Sequence, residues 1–161
     1  MKKHILSGLG ALALAAALAA CGGSPGTSPT SAPPSSSAAA SDAPAAAELK
    51  TANTTAGDVV VAANGMSVYY FTKDVKDSGK SACEGQCLAA WPPVTTESDA
   101  PAVDGVTGTI GTIPTADGKK QITVNGMPVY YFAKDTAPGD VKGQGVNGVW
   151  YLVSPSGEMI K

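Results

Sequence analysis

The chain has 161 residues and a formal net charge of −2, contains no arginine, and has a single histidine, His4, within its first ten residues. It therefore lacks the bidentate clamps that bind phosphates and carboxylates, and beyond His4 it lacks the commonest acid–base group and metal ligand. Composition thus argues against nucleic-acid binding, and a hydrolase or transferase is disfavoured because no Ser/His/Asp set or phosphate loop is present.

The first twenty residues predict an export signal followed by a lipid anchor. Lys2 and Lys3 precede an apolar run that ends at Ala20, and the run is too short for a comfortable bilayer span of about 20 apolar residues. The segment 18–21, Leu-Ala-Ala-Cys, resembles a bacterial lipobox, in which the cysteine is lipidated. We therefore expect residues 1–20 to be removed and Cys21 to attach the protein to a membrane. The alternative is an ordinary secretory signal in which Cys21 is incidental.

The residue after Cys21 bears on localisation. It is Gly22 and not the aspartate that usually retains lipoproteins in the inner membrane, so we expect a cell-envelope protein on the outer membrane, facing the periplasm or the cell surface.

Residues 21–56 predict a disordered, lipid-anchored linker. Up to about residue 47 this stretch is almost wholly Ser, Ala, Pro, Gly and Thr, and it cannot bury enough apolar surface to offset its conformational entropy. A short alanine-rich helix over residues 38–49 is the alternative. Residues 57–161 then form the folded domain, which is long enough for a core of its own.

The domain contains an internal duplication. Residues 64–74 recur as residues 125–135, with nine of eleven positions identical at a constant offset of 61, which places the repeats at about 57–100 and 118–161. Each copy has an Asn-Gly pair between strand-forming runs, the pattern of a hairpin with a type I′ turn. Further strands are predicted over 148–153 and, more weakly, 106–113, and a brief helix over 87–91. We predict an all-β fold, with two pseudo-symmetric hairpin repeats in one small sandwich or barrel.

The repeated motif supplies the candidate binding residues. Side chains alternate between the faces of a strand, so Tyr69 and Phe71 point one way while Val68 and Tyr70 point the other. Both faces are apolar, which predicts burial on both sides or a wide aromatic groove. The aspartate that follows each motif either accepts backbone hydrogen bonds in the turn or belongs to a ligand site with the tyrosine hydroxyls; we favour the first, since buried tyrosines need partners in any fold. The candidate residues are Tyr69, Phe71, Asp74, Trp91, Tyr130, Phe132, Asp135 and Trp150.

These residues resemble a known family. The two copies fit the pattern Y-x-(F/W/Y)-x-x-D of a group of predicted bacterial lipoproteins, also catalogued as a secreted repeat of unknown function. Residues 83–93, with cysteines four apart followed by Trp-Pro-Pro, are similar to the second hallmark of that family. The resemblance spans the folded domain and implies an envelope lipoprotein, and it brings no established activity.

Cys83 and Cys87 occur in the first repeat alone, with Val141 and Gly145 in the approximate places in the second. In an oxidising envelope, two cysteines in one domain favour a disulfide. The spacing also suits Cu(I), with Met66 and Met127 in equivalent places, although no histidine completes such a site. A redox-active dithiol remains open, and zinc lacks two of its four ligands.

We therefore expect a non-enzymatic binding or structural module of the envelope, without cofactor or metal, attached to the membrane by its lipid anchor and partnered by an unidentified envelope protein. The alternative is a redox-active or copper-handling lipoprotein that uses Cys83 and Cys87.

Overall fold

Strands dominate the computed structural model, which describes residues 47–161. The strands are β1 (Leu49–Thr54), β2 (Gly57–Ala62), β3 (Tyr69–Phe71), β4 (Thr95–Thr96), β5 (Val103–Asp104), β6 (Ile110–Pro114), β7 (Lys120–Val124), β8 (Met127–Tyr130) and β9 (Trp150–Leu152). One short helix, α1 (Gln86–Ala90), and one 3-10 turn (Val146–Gly148) complete the regular structure of these residues. The predicted signal, Cys21 and most of the predicted linker lie outside the described residues.

The strands form two sheets. The smaller has the order β2-β1-β5, and the larger has the order β4-β7-β8-β3-β9, with β6 paired to β7. Neither sheet closes on itself within residues 47–161, so the arrangement is sandwich-like. The predicted all-β class is confirmed, and so are the brief helix near 87–91 and the strand near 148–153. Of the weaker strand predicted over 106–113, only the second half forms, as part of β6.

The folded domain begins earlier than predicted. β1 pairs with β2 over the full length of both strands, from Leu49 opposite Ala62 to Thr54 opposite Gly57. The predicted boundary at residue 57 therefore falls inside a hairpin, and the folded domain includes β1 from Leu49. The sequence of β1, LKTANT, is mostly polar, which is why composition alone assigned it to the linker. Leu49 is a fully buried strand residue and is therefore not the end of an alanine-rich helix.

The two Asn-Gly hairpins differ in their turns. At Asn125-Gly126 both residues have positive φ, 51° and 76°, and Val124 pairs with Met127, as a type I′ turn requires. At the first hairpin the prediction of a type I′ turn is wrong: Gly65 has φ 83°, whereas Asn64 is not among the residues with positive φ. Instead the Asn64 side chain accepts a hydrogen bond from the Met66 backbone N–H, and the turn gains one residue.

Two cores lie on opposite faces of the central strands. The aromatic core contains Val59, Val61, Tyr69, Phe71, Cys83, Trp91, Tyr130, Phe132, Trp150 and Leu152. The aliphatic core contains Leu49, Val60, Ala62, Val68, Tyr70, Val94, Val106, Ile122, Val124, Val129 and Val153. Alternate residues of β3 thus face different cores, as the strand pattern predicts, and both faces are buried. No helix between residues 47 and 161 has the length and apolarity that a bilayer crossing demands.

Candidate functional site

An approximate two-fold axis relates the repeats and passes between two equivalent tyrosines. Tyr69 of β3 lies directly opposite Tyr130 of β8 in an antiparallel pair, and these residues are 61 positions apart, the offset of the duplication. A residue that pairs with its own repeat equivalent must lie close to the axis of symmetry. The two repeats therefore meet through their motif strands.

Each motif tyrosine is bonded to the aspartate of the other repeat. The Tyr69 hydroxyl donates to Asp135 Oδ2 at 2.6 Å, and the Tyr130 hydroxyl donates to Asp74 Oδ2 at 2.8 Å. We call these the crossed pairs. Both aspartates and both tyrosines are buried. Burial raises the pKa of the Asp74 carboxyl, and burial, followed by the hydrogen bond to Asp135, raises the pKa of Tyr69 well above its ordinary value.

The second oxygen of each aspartate holds the loop of its own repeat. Asp74 Oδ1 accepts the Ala82 backbone N–H at 2.6 Å, and Asp135 Oδ1 accepts the Lys142 N–H at 3.0 Å. Each aspartate thus accepts a backbone hydrogen bond, as the favoured interpretation of the motif predicts. What the sequence did not reveal is that each carboxylate also joins the two repeats.

Four aromatic rings are stacked across the axis. Trp91 and Trp150 lie parallel with ring centroids 3.7 Å apart, and each is also stacked on one phenylalanine at 4.2 Å, Trp91 on Phe132 and Trp150 on Phe71. Tyr69 packs edge-on against Trp91, with ring centroids 5.5 Å apart. This geometry is favourable because the positive edge of one aromatic ring faces the negative face of the other.

All eight candidate binding residues are therefore buried and in contact with another member of the set. Of the two arrangements predicted for the motif, burial on both faces is observed, and these aromatic rings form a core in place of an open groove.

Cys83 and Cys87 lie at disulfide-bonding distance, with their Cα atoms 5.3 Å apart. Cys83 is buried in the aromatic core, and Cys87 lies in α1, where its carbonyl accepts the Trp91 backbone N–H at 2.9 Å. The pair thus fixes the turn that delivers Trp91 to the ring stack. Met127 packs against the opposite, aliphatic core, away from the sulfurs. Within residues 47–161 no group of three or more His, Cys, Asp or Glu side chains could hold a metal ion.

The second repeat has no room for a cysteine at the place of Cys83. Because Ala82 and Lys142 make the same bond to their aspartates, the next residues, Cys83 and Gly143, are structural counterparts. The predicted correspondence of Cys83 with Val141 is therefore wrong by two positions. A Cβ on Gly143 would lie 2.7 Å from ring carbons of Tyr69, so only glycine fits there without displacing that ring.

A cleft of about 800 Å³ opens beside the loop of the first repeat. Its walls are the loop 79–88 and the turn 114–117, and Ser81 and Gln121 are among the lining residues. The Ser81 hydroxyl lies 2.7 Å from the Tyr130 hydroxyl, so the cleft reaches one of the crossed pairs. In the second repeat the Gly143 backbone N–H occupies the corresponding place and donates to Tyr69.

Sequence reasoning missed this cleft and both polar residues. The available signal was the departure from the repeat: a glutamine stands at position 121, where the first repeat has Val60 at the same offset.

A known protein family matches both repeats of the chain. A family model described as a secreted repeat of unknown function matches the chain twice, over residues 50–95 and 111–154. The two matched segments begin 61 residues apart, the offset of the duplication, and the first includes most of β1, in agreement with the earlier domain start. No curated protein and no solved structure matches the chain.

Proposed function

The chain belongs to the family of secreted repeats of unknown function, and from this premise we propose that it is a lipid-anchored envelope protein whose folded domain binds a partner and catalyses no reaction. In this proposal Cys21 carries the acyl chains and places the protein on the outer membrane, facing the periplasm or the cell surface. The cleft beside residues 79–88 is the binding surface.

The difference between the two repeats carries the proposal. The crossed pairs and the ring stack are symmetric, so they account for the fold in both repeats equally. The cleft is bordered by the loop of the first repeat, the one that also carries Cys83 and Cys87. The cleft sets this loop against the turn 114–117 and Gln121 of the second repeat, and a feature that joins non-equivalent parts of a duplicated scaffold is better explained by a function than by folding, which both repeats achieve through their shared motif.

The state of the buried carboxylates supports a non-catalytic role. Asp74 and Asp135 each use both oxygens in hydrogen bonds within the domain. A general acid or base must reach the proton that it transfers, and these carboxylates already have partners on both sides. Their geometry is that of structural anchors.

Site-directed crosslinking tests the binding surface. A photo-crosslinking residue is placed at Leu88 or Ala116, both of which line the cleft, in the full-length protein within its native envelope. Val75, which is 68% exposed and lies outside the cleft, is the matched control position. A discrete adduct from the two cleft positions and none from Val75 is expected. Identical adducts from all three positions, or none at all, would contradict the proposed binding role.

A separate substitution tests the anchor. Cys21→Ala should leave a soluble or unprocessed protein, because the acyl chains are the strong membrane attachment in this proposal, at about 0.8 kcal/mol per buried methylene. Membrane fractionation measures the outcome, and tight membrane association of the variant would refute lipid anchoring.

A redox or copper-handling role is the second candidate, and the position of Cys83 favours it. This cysteine lines the cleft, so a ligand in the cleft would lie beside the sulfur pair. Free-thiol and metal analysis of protein purified from its native envelope separates the candidates. Reduced thiols or stoichiometric copper would support this role over simple binding.

A further inference from the structure

We propose that Gln121 is the recognition residue of the cleft, and that the ligand is an uncharged, extended peptide segment. In this arrangement a ligand N–H donates to Gln121 Oε1, and an aliphatic side chain of the ligand packs against Leu88, Pro93 and Pro114. This inference rests on the proposed binding function and deepens it.

The surroundings of Gln121 leave its oxygen available. The residue lies in β7, is 1% exposed, and lines the cleft. Its Nε2 donates to the Val129 carbonyl at 3.0 Å and its amide also lies beside the Tyr130 hydroxyl, whereas its Oε1 accepts no hydrogen bond from residues 47–161. No fully buried side-chain polar atom in that part of the chain lacks a partner, so Oε1 must keep some contact with open space, and the cleft is the space that Gln121 lines. An acceptor that opens only into the cleft is placed to receive a donor from a ligand in exchange for cleft water.

The first repeat indicates that the fold does not require this amide. By the sequence offset, the counterpart of Gln121 is Val60. By the core that each residue faces, the counterpart is Val59, because Ile122 and Val60 both belong to the aliphatic core. Either way the first repeat builds the same strand with a fully buried valine. The glutamine thus replaces a valine only in β7, the strand that borders the cleft.

The charges at the cleft favour a neutral ligand. Its rim contains Lys80 and Glu84, which have opposite charge, and Asp117, whose carboxylate lies 3.4 Å from Lys119 Nζ. Positive and negative charges are thus balanced around the cleft, so it favours neither an anionic nor a cationic ligand.

The remaining lining favours a peptide. No lining residue is aromatic, so the cleft lacks the flat ring face on which a sugar would pack. Aliphatic and proline side chains beside one free amide oxygen suit a peptide N–H flanked by an aliphatic side chain.

A capped amino acid tests the proposal. N-acetyl-leucine N-methylamide is titrated into the full mature chain in detergent, and the backbone amide NMR signals of the cleft residues Leu88 and Ala116, which the parent and the variant share, are followed. We expect a saturable shift in the parent protein and an affinity about tenfold lower in Gln121→Val, the value of one hydrogen bond. The melting temperature of the variant should be unchanged or higher, since binding residues tend to sacrifice stability.

Two further variants control for effects of the substitution that do not involve binding. Asn53→Val replaces an exposed side-chain amide in β1, outside the cleft, and should bind as the parent does. If Gln121→Val fails to fold, Gln121→Met preserves the side-chain length and replaces it. Equal affinity in the Gln121 variant, or no saturable shift in the parent up to the solubility of the probe, would overturn the inference.

The inference can fail while the proposed function stands. The crosslinking residue at Leu88 is combined with Gln121→Val in the native envelope. Loss of the adduct supports the role of Gln121, and an adduct that persists overturns that role alone. If the parent gives no adduct, the binding function itself fails.

Discussion

Replacing Asp135 with alanine will destabilise the domain more than the same replacement of Asp74, although the duplication makes these aspartates equivalent. The reason lies in the second partner of each tyrosine. The Tyr130 hydroxyl lies 2.7 Å from Ser81 Oγ and can donate there when Asp74 is removed. The Tyr69 hydroxyl accepts the Gly143 N–H, and its other hydroxyl neighbour, Ser67, is held by the Asp140 carbonyl at 2.7 Å, so Ser67 is a weaker alternative acceptor once Asp135 is gone.

The magnitudes follow from the donors that lose their acceptor. Asp135→Ala strands the buried Tyr69 hydroxyl, at about 2 kcal/mol for a buried donor, and the N–H of Lys142, an exposed residue like Ala82, at about 1 kcal/mol, so about 3 kcal/mol in all. Asp74→Ala strands the N–H of Ala82, an exposed residue that water can reach, so we expect about 1 kcal/mol. Removing a carboxyl whose pKa is raised by burial also relieves a destabilising charge. For a domain of this size, 1 kcal/mol corresponds to about 4 °C, so the melting temperatures should differ by about 8 °C.

Thermal and urea unfolding, followed by near-UV circular dichroism, measure both variants. Asp58→Ala is the control, because Asp58 is exposed and its side chain bonds only to Asn53. Equal losses at the two aspartates would refute the argument from Ser81. Unchanged melting of both variants would refute a structural role of the crossed pairs, and a simultaneous loss of the cleft crosslink would then assign the aspartates to binding.

Three further outcomes are expected. Reduction should raise the intact mass by the two hydrogens of a Cys83–Cys87 disulfide, with no copper or zinc bound; tightly held stoichiometric Cu(I) would disprove this. Burial raises the pKa of Tyr69 and Tyr130, so the folded state keeps protons that the unfolded state releases, and stability should fall as pH rises through the ordinary phenol value of about 10. Urea unfolding across this range, with phenolate absorbance in a Tyr151→Phe background that removes the exposed hydroxyl of Tyr151, measures it, and phenolate that forms before unfolding would contradict burial. Gly143→Ala should cost about 1–3 kcal/mol, because its Cβ would overlap the Tyr69 ring, and wild-type melting would show that the ring can move.

Much of the fold could be predicted from local sequence patterns. The repeat, both hairpins, the alternation of faces and the brief helix near Trp91 all follow from periodicity and turn residues within a few positions of each other. The polar strand β1 was not predicted, because its stability comes from pairing with β2 and not from its own composition. The shifted turn at Asn64 escaped because its side chain supplies a local hydrogen bond that competes with the type I′ geometry.

The candidate site was less accessible to sequence reasoning. The motif identified Tyr69 and Asp135 as candidates, but no local pattern states that a tyrosine bonds to the aspartate of the other copy. That depends on how the two repeats pack, which is a property of the whole chain. Gln121 escaped for the opposite reason: it is a single substitution whose meaning emerges only when the cleft around it is known.

The pairing of Tyr69 with its own equivalent, Tyr130, also has an evolutionary consequence. A single ancestral repeat with this contact would be complementary to a copy of itself and would fold as a homodimer. In such a homodimer every mutation is present twice, so any change that suits one side must also be tolerated on the other. Fusion of two copies into one gene removes that constraint: one half can keep Gly143 packed against the rings while the other carries two cysteines in a loop that borders a cleft. The duplication thus provided a template on which asymmetry could be selected.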